Sequence, residues 1–231
     1  MRKSLLAVAA ALFATQSAAQ APAAPPKLLV VISIDQFSAD LWDEYRPQFT
    51  GGFARLASGT VFHNGYQSHA ATETCPGHST LLTGDRPATT GIIGNIWSDQ
   101  SLQRSDKSVY CAENEQAPGS SSTAYKVSDQ HLRVPTLGDR MKALWPTSRN
   151  VAVSGKDRAA VMMSGHHADQ RWYWDGKTFV TDLTNQYKAP LLSRHSPKTH
   201  QLRTMGLTPW VVLTRSSPPV PGCRARSSVA R

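Results

Sequence analysis

The stretch Glu73-Thr74-Cys75-Pro76-Gly77-His78-Ser79 places one threonine hydroxyl where a loop turns into a helix. Such a place suits the recognition of an anion. The N–H groups of a first helical turn lack intrahelical partners, and the helix dipole puts positive potential there. Pro76 fits that turn because it has no N–H to satisfy and a fixed φ. The spacing predicts a short helix over 75–83, with Leu81 and Leu82 facing inward and Gly84 ending it. A hydroxyl beside a bound phosphate can attack it, which makes Thr74 the candidate nucleophile. The same residue also reads as an ordinary N-cap.

Three further positions could act with it. Asp35 closes the apolar run Leu28–Ile34, and carboxyl ends of strands are where ligands collect in open α/β sheets; Asp35 also reads as the cap of the next turn. Asn95 follows Gly91-Ile92-Ile93-Gly94 and can donate to a phosphoryl oxygen without adding charge, or simply serve as a turn residue. Lys156 and Arg158 follow the apolar stretch after Asn150, two apart, and project from one face if the backbone is extended. Two such cations suit a dianion, the arginine as a fork and the lysine as a point charge. On their own they read equally as solvated surface.

These residues need a scaffold that alternates strand and helix. Residues 27–35, preceded by Pro25-Pro26, read as a buried parallel strand. Helices are expected near 38–45, 52–57, 135–144 and from 157, and a strand at 150–154. Residues 98–130 read as an irregular insertion. Arg171–Val180 reads as a hairpin turning at Asp175-Gly176. The class is α/β, a layered sheet with helices on both faces.

Taken together, Ile32-Ser33-Ile34-Asp35-Gln36, Glu73–Ser79, Gly91–Asn95 and Gly155-Lys156-Asp157-Arg158 resemble the nucleotide pyrophosphatase/phosphodiesterase branch of the alkaline phosphatase superfamily. The likeness is strongest to bacterial alkaline phosphatases that use a threonine nucleophile. The resemblance implies two zinc ions, with Asp35 and Thr74 ligating one of them. It further implies a phospho-threonine intermediate, and contacts from Asn95, Lys156 and Arg158 to the phosphate of a small-molecule monoester. Phosphodiesterase or nucleotide pyrophosphatase activity is the alternative within the family. The lysine and arginine favour the monoester, which carries one more negative charge.

Members of that family are expected to be about twice as long and to draw their other zinc ligands from the second half, as an Asp-x-x-x-His pair, an Asp-His pair and a late His. None of these patterns occurs here, and no Asp follows Asp182. Only part of one zinc site is therefore expected, in an N-terminal fragment of the domain (27–190) with impaired or no activity. Residues 191–231 hold seven Lys/Arg and no acid, without a helical or strand period after Leu192. The expectation is a disordered tail produced by a frameshift near 190–195, a basic arm for nucleic acid or lipid being the alternative. His63, His69, His78, His166 and His167 are left without a metal role.

The net charge of +9 does not mark an acidic partner, since 20–190 balances 16 Lys/Arg against 16 Asp/Glu. No nucleic-acid partner is expected. Residues 1–19 read as a secretory signal peptide, with Arg2-Lys3, an apolar Leu5–Phe13 and Ser17-Ala18-Ala19, followed by an Ala/Pro linker over 20–26. The apolar stretch is too short to span a membrane. Export is expected, to the periplasm or the medium. In such a compartment Cys75 and Cys111 are able to form a disulfide, leaving Cys223 alone. The oligomeric state is not legible.

Overall fold

A computed structural model describes residues 27–184 and the strand Pro209–Arg215. The expected signal peptide (1–19), the linker (20–26) and the rest of the tail lie outside the described residues. The chain is a mixed α/β fold. Its sheet runs β1 (Leu28–Ile34), β7 (Pro209–Arg215), β4 (Arg149–Ser154), β5 (Gln170–Trp174), β6 (Phe179–Val180) in spatial order. β4 and β5 are parallel, joined by helix α6 (Asp157–Ser164) in a βαβ unit. A separate ribbon pairs β2 (Ile96–Ser98), at the start of the stretch read as irregular, with β3 (Ser108–Tyr110) inside it. No helix among the described residues is long and apolar enough to cross a membrane.

Two expectations change here. The apolar run at the start of the chain forms β1, but as an edge strand antiparallel to β7 rather than a buried parallel one. Its alternate residues part company. Val31 packs into the core and Ser33 reaches His78, whereas Leu28, Val30 and Ile32 share the opposite, exposed face. A run apolar on both faces fits burial on both, and here only one face is covered among the described residues. The second change is β7 itself, a strand lying within the tail read as structureless.

α6 is the spine of the core. Ala159, Ala160, Val161, Met162, Met163 and Ser164 are all buried, and they serve two apolar clusters. One gathers Cys75, Ile92, Tyr110, Cys111 and Leu132 around Val161 and Met162. The other gathers Leu82, Ala152 and Tyr173 around Ala159, Ala160 and Met163. Helix α3 (Thr74–Thr83) lies against α6 and belongs to both clusters through Cys75 and Leu82. It ends at Gly84, whose φ of 78° is the left-handed value that suits glycine at a helix C-terminus. Leu82 turns inward as expected, but Leu81 is exposed. Neighbouring helical residues point about 100° apart, so one apolar flank does not hold both.

Helices α1 (Ala39–Tyr45), capped by the Ser38 hydroxyl, and α2 (Gly51–Ala57) join Phe37, Trp42, Phe49 and Phe53 in an aromatic cluster. A four-residue helix α4 (Pro87–Thr90) and helix α5 (Leu137–Leu144) complete the set. α5 starts with a reciprocal capping box between Thr136 and Asp139. The hairpin of β5 and β6 turns at Asp175-Gly176 as expected, its Asp175 carboxylate accepting from the N–H groups of Lys177 and Thr178.

Candidate active site

Sequence positions far apart meet at the first turn of α3. Thr74 opens the helix, one residue earlier than expected, and is 8% exposed. Its hydroxyl donates to Asp35 Oδ2 at 3.0 Å. Asp35 sits just past the end of β1, in a turn where Gln36 takes φ 58°. A non-glycine residue in that region is strained and persists only where its surroundings hold it. Arg158, in the first turn of α6, brings Nη2 to 3.4 Å from Thr74 Oγ1. A carboxylate able to accept a proton and a cation able to favour an alkoxide thus flank one hydroxyl.

The helix start is capped from outside. Glu73 makes no side-chain cap; the Asn95 side-chain carbonyl takes its place, accepting from Cys75 N–H at 2.8 Å. Glu73 in turn accepts from the Asn95 backbone N–H at 2.6 Å. With its oxygen engaged on the helix, Asn95 keeps its amide NH2 for another acceptor. The expected Cys75–Cys111 disulfide is present, with Cα atoms 6.5 Å apart, and Cys111 N–H also donates to Asn95 O at 3.0 Å. The residue after Thr74 is therefore bound covalently to the residue after β3.

Lys156 and Arg158 do not share a strand face. Lys156 is the N-cap of α6 with an exposed side chain, and Arg158 lies within the helix. The strand ends at Ser154, and although Lys156 is still extended, the helix that begins at Asp157 breaks the common face. Of the predicted set, the structure brings Asp35, Thr74 and Arg158 into direct contact and joins Asn95 through the Cys75 backbone, and it leaves Lys156 at the rim.

Sequence reasoning passed over Asp157, Tyr110 and Tyr125. The Asp157 carboxylate accepts from Tyr110 OH and from Tyr125 OH, each at 2.8 Å. Burial, reinforced by the Asp157 charge, pushes the Tyr110 phenol up to about 12 and raises that of Tyr125 as well. Both stay protonated donors in neutral and moderately alkaline water. Nothing in the spacing of 110, 125 and 157 signals this meeting.

Three of the described histidines meet protein partners. His78 is buried; its Nδ1 lies 2.7 Å from Thr74 O and its Nε2 3.3 Å from Ser33 Oγ. Burial pushes its pKa down. His166 and His167 turn to different carboxylates, Asp129 at 3.6 Å and Asp139 at 3.2 Å. Among the described residues no three His, Cys, Asp or Glu side chains gather in a way that could hold a metal ion. Asp35 and Thr74 offer two oxygen donors, while a zinc ion takes three or four protein ligands. The described residues do not complete a two-zinc centre; they hold a threonine hydroxyl beside a carboxylate and a cation.

Comparison with known proteins gives the chain its relatives. The chain is 58% identical over 173 residues to alkaline phosphatase PhoK of Sphingomonas sp., covering 74% of this chain and 31% of that protein. To alkaline phosphatase PhoD of Zymomonas mobilis subsp. mobilis it is 49% identical over 178 residues, covering 77% and 31%. The chain thus spans about a third of the length of these curated relatives. The crystal structure of wild type alkaline phosphatase PafA superposes with a TM-score of 0.62 at 28% identity, covering 74% of this chain and 34% of that one. Another PafA crystal structure, at 26% identity, is of a mutant in which a threonine, an asparagine, a lysine and an arginine are replaced. The family model for type I phosphodiesterase / nucleotide pyrophosphatase matches residues 29–210, which runs past the 190–195 region where a frame change is expected. This chain belongs to the type I phosphodiesterase / nucleotide pyrophosphatase family.

Proposed function

We propose that this chain carries the nucleophile and the phosphate-holding part of a phosphomonoesterase. The observation behind the reading is the Thr74 hydroxyl, held between Asp35 at 3.0 Å and Arg158 at 3.4 Å at the start of a helix. Thr74 Oγ1 attacks phosphorus in line. Its bond to phosphorus forms as the ester P–O bond breaks, its proton passes to Asp35, and the departing alcohol oxygen takes a proton from water. Water then attacks the phospho-threonine, its OH going to phosphorus and its H to Thr74 Oγ1 as that P–O bond breaks. The hydroxide left by the first step takes the proton back from Asp35, giving water. Arg158, the Asn95 amide and Lys156 at the rim meet the charge on the equatorial oxygens.

The PafA mutant supports the choice of residues. Its replaced threonine, asparagine, lysine and arginine are spaced 21, 62 and 2 apart, against 21, 61 and 2 for Thr74, Asn95, Lys156 and Arg158 here. The names of PhoK and PhoD support a phosphatase. Zinc, implied by the resemblance, would have Asp35 and Thr74 as two of its ligands and need others from beyond the described residues. The Cys75–Cys111 disulfide supports export to an oxidising compartment, the periplasm or the medium. The partner is a small phosphate ester; the balanced charge of 20–190 does not favour nucleic acid.

A second reading, phosphodiesterase, has the family description behind it. The two separate on one pair of substrates. The chain is incubated with zinc and either a nitrophenyl phosphate monoester or a bis-nitrophenyl diester, quenched in acid and mapped by mass spectrometry. Phosphate on the peptide bearing Thr74, formed from the monoester and absent in Thr74→Ala, is the expected result. Faster cleavage of the diester would favour the second reading. An adduct elsewhere, or no binding of either ester, would overturn the first.

A further inference from the structure

Arg158 has an acidic neighbour in sequence, Asp157, placed to neutralise it. It does not do so. Both Asp157 oxygens are engaged by the phenols of Tyr110 and Tyr125, on the ribbon and on the loop beyond it. The two rings lie against each other, with centroids 4.4 Å apart, and the Arg158 guanidinium carbon lies 6.0 Å from the Tyr110 ring centroid. Among the described residues Arg158 forms no ion pair, and its reach is to Thr74 Oγ1. The disulfide then links Cys111, next to Tyr110, with Cys75, next to Thr74. The groups around the nucleophile and around the arginine are thus one connected unit.

We propose that Asp157, Tyr110 and Tyr125 form a positioning device that pins the start of α6 and holds the Arg158 guanidinium, unpaired, over Thr74. The inference rests on the functional reading above and deepens it. None of the three touches the reacting atoms; each acts through Arg158. A carboxylate with two phenol donors has less to offer a neighbouring guanidinium, and the tyrosine face beneath the cation restricts its swing. Tyr110 stays a donor up to a pKa of about 12, so the clamp holds across alkaline pH.

The test is inorganic phosphate binding, read by calorimetry on the full chain, with thermal melts without phosphate as the folding control. Tyr110→Phe and Tyr125→Phe each remove one donor and are expected to weaken binding by about tenfold, the scale of one hydrogen bond to a charged group. Asp157→Asn, which keeps the shape, is a second probe in case a ring change disturbs the core. In an Arg158→Ala background these changes are expected to have no further effect on binding, a non-additivity that a merely structural role would not give. Full loss in Arg158→Ala with unchanged affinity in all three variants would overturn the positioning device alone. Equal losses with and without Arg158 would also overturn it. A wild-type chain that does not bind phosphate, or binds it unchanged after Arg158→Ala, would overturn the functional reading and the device with it.

Discussion

The cap that Asn95 makes and the phosphate contact proposed for it use opposite ends of one side chain, and two substitutions separate them. Its carbonyl caps α3 through Cys75 N–H at 2.8 Å, and its NH2 is the end assigned to the phosphoryl group. Asn95→Ala removes both, and loss of such a cap costs about 1 kcal/mol of stability. For a domain of this size that is a fall in melting temperature of about 2–4 °C. Asn95→Asp keeps an acceptor in place. A carboxylate at a helix N-terminus gains about 0.3–1 kcal/mol from the dipole. Repulsion from Glu73, whose Oε2 lies 2.6 Å from the Asn95 backbone nitrogen, offsets a similar amount at an exposed site. The melting temperature of Asn95→Asp is therefore expected within about 1–2 °C of wild type. Binding should move the other way. A carboxylate about 5 Å from a phosphate costs about 3 kcal/mol at an effective dielectric constant near 20, some hundredfold in affinity, beyond the lost donor bond. Differential scanning fluorimetry and phosphate calorimetry read the two quantities. Equal destabilisation by both variants, or phosphate binding by Asn95→Asp equal to wild type, would refute this division of labour.

Other consequences are open to measurement. Gly165 has φ 71°, and a Cβ there would meet Asp139 Oδ2 at 2.1 Å and Thr136 Oγ1 at 2.6 Å. Gly165→Ala should cost about 2–4 kcal/mol from backbone strain and displaced polar groups, visible as a lowered urea midpoint. Asp129 is held down to about 2: burial acts to raise it, but His166 and Arg171 overcome that. A depressed carboxylate contributes stability above its unfolded value near 4, lost as pH falls towards about 2. Asp129→Asn should flatten the pH dependence of the melting temperature across that window. The disulfide closes a separation of 36 residues, so reduction or Cys111→Ser should cost on the order of 3–4 kcal/mol in denaturant unfolding.

The site was more legible in the sequence than the sheet around it. Asp35 at a strand end and Thr74 at a helix start are signals of chain direction and local geometry, and both stand where their neighbours in sequence put them. Arg158 is legible through the motif, and the helix expected from 157 does hold it; only its sharing of one face with Lys156 fails, because that needs extended backbone and the helix begins at Asp157. The contacts of Asp157 left no trace, since its donors lie 47 and 32 residues away, one at the end of the short ribbon and one on the loop beyond it. Buried Arg171 is similar: its partners Asp182 at 2.6 Å and Asp129 at 3.0 Å look like surface charges in sequence. Periodicity reports which residues share a face and not what covers it, so β1 read as buried while Leu28, Val30 and Ile32 are exposed.

The most direct test is to titrate the chain with a nitrophenyl phosphate monoester and, separately, with the diester, following Thr74 by NMR in wild type and Arg158→Ala. Tighter binding of the dianionic monoester that perturbs Thr74 and is lost with Arg158 is the predicted result. Binding that leaves Thr74 unmoved, or that survives the loss of Arg158 unchanged, would contradict the central claim that Thr74 and Arg158 hold one phosphoryl group between them.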